Sequence, residues 1–303
     1  MSIKNSEAIE SRAFLLEKKL KQLNPKLHSI YSAGIFAIDR LLMNYKTDFP
    51  FFTDHTFEHS AQLINYCNIL VGEENIDELN ADEIYILLMG ACLHDVGMGI
   101  SKTDFDQFAP RIAGYQAWSN EHPDAVLGEA TRTFHNDLSA EFVKKYSQLF
   151  EIPSEEYVYC IGQVCRGHRK QDLLNRENYN PEFKLSDGTV IRLPYLAALI
   201  KLADELDVTA DRNLLLDYET YIPEVESSVM CFKSHGALKE LTLEDDKIIL
   251  YYSTDEEDVL EEIQHIDAKV QQTFCEYEAV METMCDFKQI VNKVKFVDLK
   301  VTQ

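Results

Sequence analysis

The run from Ile84 to Leu93, IYILLMGACL, is apolar on every side of a helix and stops at the polar pair His94-Asp95. A helix that is hydrophobic all round belongs in the centre of an α-helical protein, not on its surface. Gly97 and Gly99 follow where such a helix should end. His94 and Asp95 therefore stand at a buried helix terminus. A carboxylate there must be neutral, salt-bridged or bound to a cation. An adjacent His and Asp can converge on one metal, with the Asp free to bridge to a second. On its own, a His-Asp dipeptide is more often structural, so the rest of the chain has to supply the partners.

The chain has 303 residues, 46% of them hydrophobic, enough to bury a substantial core in one large domain or two modest ones. Its formal charge of −23 disfavours extended duplex nucleic acid and anionic membrane as partners. An anionic substrate therefore needs a locally positive site. The seven cysteines are scattered and include no CxxC pair. That usage fits reduced thiols in a cytoplasm and argues against a structural zinc ribbon. The opening MSIKNSEAIESRAFLLEKKLKQL mixes charges at helical spacing and lacks the apolar core of a signal peptide. No apolar stretch reaches the roughly 20 residues that span a bilayer. The expectation is a soluble, cytoplasmic protein without membrane partners.

Apolar residues three or four apart predict helices over about 5–23, 27–45, 57–71, 81–96, 123–148, 154–169 and 192–208. Over about 227–252 the pattern changes, and ALKELTLEDDKIILYYS alternates around a turn-prone EDDK, as in a β-hairpin. From about 255 to 293 one long helix is predicted. It carries a stripe of Val259, Ile263, Ile266, Val270, Phe274, Tyr277, Met281 and Met284, suited to the core or, less often, to a homo-oligomer or protein-partner seam. The predicted fold is mostly α, with a helical domain over 1–215 and a hairpin plus long helix as an appendage over 216–303.

Two further polar residues stand where polarity is costly. FTDHTFEHSAQLINYC places His59 at the head of an amphipathic helix, and LIKLADELDVTADR places Asp204 in an otherwise apolar helical face. In chain order, His59, His94, Asp95 and Asp204 form an H…HD…D pattern over four elements. This resembles the HD superfamily of metal-dependent phosphohydrolases, over about residues 50–212. The resemblance implies an all-helical bundle in which these four residues hold one metal, with Asp95 at the catalytic centre. Imidazole and carboxylate together suit Mn²⁺, Fe²⁺, Co²⁺, Ni²⁺ or Zn²⁺, with Mg²⁺ as a further option, and leave positions open for water and substrate. A bound ion would make hydroxide near neutral pH and polarise a phosphoryl oxygen. The implied activity is hydrolysis of a phosphoester or phosphoanhydride in a nucleotide or other phosphorylated small molecule.

His135, in TRTFHNDLSAEFV, looks like the start of a helix, and His168, in CIGQVCRGHRKQ, lies at a helix end. In phosphodiesterase-like members of the superfamily, histidines in this part of the chain hold a second ion, so the resemblance implies one or two metals. Arg169 after His168 and Met98 after the HD pair depart from the members that cleave cyclic dinucleotides. The GMGIS that follows the HD pair lacks the Glu-Asp of alarmone hydrolases, and Thr56 lacks the arginine of deoxynucleotide triphosphohydrolases. Arg166, Arg169, Lys170 and Lys201 are candidates for binding phosphate. Lys201 and Asp207, one turn either side of Asp204, are alternatively partners that orient a ligand, and Arg212 is a weaker candidate.

Two other functions compete. His55 to His59 spells HTFEH, the HxxEH pattern of zinc peptidases, with Glu129 or Glu141 as the third ligand. That reading leaves His94, Asp95 and Asp204 unexplained. A non-catalytic nucleotide-binding sensor built on the same fold is the other.

Overall fold

The computed structural model describes residues 14–43, 57–208 and 226–300. The first half is helical: α1 (Leu15–Leu23), α2 (Pro25–Leu42), α3 (Phe57–Asn75), α4 (Ala81–Leu93), short α5 (Lys102–Phe108) and α6 (Tyr115–Glu121), α7 (Leu127–Tyr146) and α8 (Glu155–Gly167). A two-rung hairpin, β1 (Phe183–Lys184) and β2 (Val190–Ile191), leads into α9 (Leu193–Leu206). Then come α10 (Glu226–Ala237), β3 (Leu238–Glu244), β4 (Lys247–Tyr252), α11 (Glu257–Met284) and β5 (Lys293–Asp298).

The apolar run forms α4, and every residue from Glu83 to Leu93 is buried. Helices α1, α2, α3, α8 and α9 surround it. Its start is fixed by a capping box: the Asn80 side chain accepts from the Glu83 N–H, and the Glu83 carboxylate accepts from the Asn80 N–H. The same fully buried carboxylate accepts from Arg192 Nε at 2.7 Å and Nη2 at 2.6 Å. Arg192 immediately precedes α9, so one clamp sets the starting point of two helices. They have 13 and 14 residues, about 20 Å each at 1.5 Å per residue, and both run to the same level of the molecule. That level carries His94, Asp95, Asp204 and Asp207.

The mostly α fold agrees with the sequence reading, and it adds the short helices α5 and α6 and the β1–β2 hairpin, which the periodicity does not predict. Residues 226–237 are helical rather than part of the hairpin, whose strands begin at Leu238. The long helix stops at Met284, and the chain returns as β5 alongside β4 in parallel. His135 lies in the middle of α7, not at its start. The helix expected over 57–71 does break off at Gly72, where φ is 67°, but the chain resumes helical structure to Asn75. The hairpin turn is Asp245-Asp246, with Asp245 at φ 56°, the left-handed conformation a two-residue connection needs. Helix α11 packs along α9. Its stripe is buried within the chain in two places: Val270, Phe274, Tyr277, Met281 and Met284 join the main core, Val259 and Ile263 pack with Ala237 and Met230 of α10 and with Tyr252 and Phe296 of the sheet, and Ile266 is half-buried. The expected division near residue 215 falls outside the described residues. Among the described residues, no single helix is long and apolar enough to cross a membrane.

Candidate metal centre

At the end of α4 the chain tightens into a 3₁₀ turn, Val96–Gly99, which lies directly against α7. Gly97 is required there for proximity. A Cβ at this position would stand 2.2 Å from the His135 carbonyl oxygen and 2.8 Å from the Ser139 N and Oγ. Ser139 joins the two elements: its hydroxyl donates to the His94 carbonyl at 2.6 Å and accepts from the Gly97 N–H at 2.8 Å. Asp95 is thereby held over the middle of α7, within reach of His135.

Five side chains, one from each of five helices, meet around Asp95. On one side, its Oδ2 lies 3.2 Å from His94 Nε2 and 3.7 Å from His59 Nε2, and those two nitrogens are 3.2 Å apart. Asp204 Oδ1 adjoins the same pair, 3.3 Å from His59 Nε2 and 4.0 Å from His94 Nε2. On the other side, Asp95 Oδ1 lies 3.4 Å from His135 Nε2 and 3.7 Å from His168 Nε2, which are 3.0 Å apart. His59, His94, Asp95, His135 and His168 are all at most 5% exposed.

The far ring nitrogens fix the tautomers. Nδ1 of His94, His135 and His168 faces the carbonyl oxygens of Ala91, Arg132 and Cys165 at 2.9, 2.7 and 2.6 Å. A carbonyl only accepts, so each Nδ1 carries the proton and each Nε2 of a neutral ring presents a lone pair inward. His59 Nδ1 is held by the Asp207 carboxylate at 2.5 Å, the arrangement that orients metal-ligating imidazoles. Burial pushes the His135 pKa down, and Arg169 adds to the shift against the opposing pull of Asp95. Burial also drives His168 well below the usual range, with His135 and His94 adding to it. Both rings are thus neutral, and their inward lone pairs face each other at 3.0 Å with no proton to share. Asp204 is held well below the usual carboxylate range: burial works against ionisation, but His59 and then His94 outweigh it.

A cation resolves that opposition of lone pairs. Two ligands about 2.1 Å from one ion, at 90–110°, stand about 3.0–3.4 Å apart, and the facing nitrogens are 3.0 and 3.2 Å apart. Two buried groups are therefore able to bind a metal ion, His59/His94/Asp95 and Asp95/His135/His168, and they share Asp95.

The basic candidates separate. Arg166 donates to Asp137 at 3.1 Å and Glu141 at 3.2 Å, which spends its charge on α7. Lys201 pairs with Glu276 of α11. Lys170 is exposed, in a left-handed turn. Arg169 is half-buried beside His135, and its guanidinium makes no ion pair among the described residues. Arg132, which sequence reasoning passed over, lies close to Arg169: burial and then the Arg169 charge push its pKa down. Its signal was its spacing, three residues before His135 on the same helix. Glu141 is engaged by Arg166, and Glu129 accepts from the Val126 N–H at α7's start, so neither joins His59. His55 and Arg212 lie outside the described residues.

No curated protein matches the chain, and no solved structure does. The HD-CE family model matches residues 49–284, which span α3 to α11 and every residue of this centre. Matched over well more than half its length, the chain belongs to the HD-CE family.

Proposed function

We propose that the protein is a metal-dependent phosphohydrolase acting on a phosphoester or phosphoanhydride of a nucleotide-like small molecule. The observation that carries this reading is Asp95: each of its two oxygens faces a separate pair of inward imidazole nitrogens. Four imidazoles and two carboxylates suit Mn²⁺, Fe²⁺, Co²⁺, Ni²⁺ or Zn²⁺ better than Ca²⁺. When bound, such ions supply Lewis acidity toward phosphoryl oxygens and lower the pKa of water.

The chain's own residues do the rest. Asp95 sets the spacing between the two ligand sets. Asp207 and the three helix carbonyls keep the Nε2 lone pairs aimed inward without further reorganisation. Arg169 and Arg132, the local positive charge in an acidic protein, attract and orient the phosphate. The nearly dry setting strengthens each of these charges.

The test is metal content of anaerobically purified protein, with cleavage of bis(p-nitrophenyl) phosphate and a nucleotide mixture. Wild type should hold about two ions per chain. His168→Ala should keep one, and Asp95→Ala should lose both metal and turnover. Wild type that holds no metal and cleaves nothing after Mn²⁺ is added refutes the reading.

A further inference from the structure

A cavity of about 520 Å³ is lined by the segment that follows His168, by Lys201 of α9 and by the face of α11. Two of its walls continue directly from ligand-bearing elements. Lys170 stands two residues past His168, and Lys201 stands three residues before Asp204, about 4.5 Å along the same helix. Small-molecule sites typically occupy about 300–1,000 Å³.

The lining defines what fits. Its charged residues balance, Lys170 and Lys201 against Asp172 and Glu276. Lys201 Nζ donates to Glu276 Oε2 at 2.5 Å, so the buried ammonium is neutralised and no excess positive charge remains for a second phosphate. Polarity nevertheless remains: Lys201 has three N–H groups, and only the one to Glu276 meets an acceptor among the described residues, although its side chain is only 10% exposed. The opposing surfaces are apolar. Leu174 is 43% exposed at the rim, and Ala279 stands one turn from Glu276 on α11.

We infer that this cavity receives the uncharged, ring-bearing part of the compound whose phosphate is held at Asp95, a flat heterocycle with hydrogen-bonding edges such as that of a nucleoside. The inference rests on the phosphohydrolase reading for the position of the phosphate. Lys201 and Glu276 read the ring's edge, and the apolar walls cover its faces. Specificity for the organic group thus resides on α11, outside the ligand helices.

The test uses the full-length, metal-free protein and four nucleosides without phosphate: adenosine, guanosine, cytidine and uridine. Binding is followed by saturation-transfer NMR and titration calorimetry. At least one nucleoside should bind with a Kd below about 1 mM. Ala279→Trp, which fills the cavity, should weaken it at least tenfold. Cys275→Trp, at an exposed lining position, should weaken it as well and keeps the test valid if the first variant folds poorly. Failure of all four nucleosides to bind, or unchanged binding by both filled variants, overturns the inference. Cleavage of bis(p-nitrophenyl) phosphate by Mn²⁺-loaded wild type separates the two ideas. Turnover without nucleoside binding removes the cavity assignment and leaves the reaction, whereas nucleoside binding without turnover supports the cavity and removes the reaction.

Discussion

Replacing Gly97 by Ala tests how the centre is assembled. The added methyl would sit 2.2 Å from the His135 carbonyl oxygen, so the turn and α7 must separate by about 0.8 Å merely to reach 3.0 Å. Overpacking of this kind costs about 1–3 kcal/mol. The separation also stretches the buried Gly97–Ser139 hydrogen bond, worth about 1–3 kcal/mol if a donor is left unsatisfied. Together these amount to about 2–6 kcal/mol, or a fall in Tm of about 3–10 °C for a chain of this size. Because the turn carries Asp95 and α7 carries His135, the same shift widens the 3.4 Å gap between them. The variant should therefore bind less than half the metal of wild type at His135/His168. Differential scanning calorimetry and elemental analysis measure the two effects. Gly236→Ala is the control, since a Cβ there meets nothing within 4 Å and helix propensity favours alanine. A Gly97→Ala protein with wild-type Tm and metal content refutes the close-approach argument.

Asp207→Asn should lower metal affinity about 10–100-fold while leaving Tm of the metal-free protein within a few degrees, because the amide no longer supports His59 as an anion does. Chelator competition measures this, and wild-type affinity would show that Asp207 is not an orienting group. Away from the centre, Asp104 accepts from Lys145 at 2.7 Å, Tyr146 at 2.9 Å and Ser101 at 2.8 Å. Burial works against its ionisation, but these partners bring its pKa below 3.8. Its stabilising contribution is thus complete above pH 3.8 and is lost as pH falls through the folded-state value. Asp104→Asn should accordingly be less stable than wild type in urea at pH 6, with the gap narrowing as the pH is taken below 3.8. A constant gap across that range contradicts the assignment.

What the sequence made legible was whatever depended on burial. IYILLMGACL is too apolar for any place but the centre, and His94-Asp95 at its end was bound to be buried. Asp204 was conspicuous because a carboxylate interrupts an apolar face. Gly97 was read as a helix terminator, yet its requirement comes from α7 passing close by, a contact between segments some 40 positions apart. Arg166 and Lys201 looked available as single cations and are spent on Asp137, Glu141 and Glu276, partners fixed only by tertiary packing. Helix α10 was missed because its residues border a strand pattern, and local periodicity carries no record of where a hairpin begins. Strand β5 was missed for a different reason: a six-residue strand that pairs in parallel across a 28-residue helix leaves no turn signature.

The clustering of side chains at Asp95 also bears on how the chain acquires its structure. His59 and Asp207, which touch, are 148 positions apart, and the ligands between them come from three other helices. Loop-closure entropy has to be met before such distant contacts stabilise anything, and folding slows as the mean separation of contacting residues grows. The local helices can form early, but the centre exists only once α9 has docked, and α9 is covered only when α11 has been synthesised. A polypeptide truncated before α11 would hold every ligand in its sequence yet leave the outer face of α9 bare.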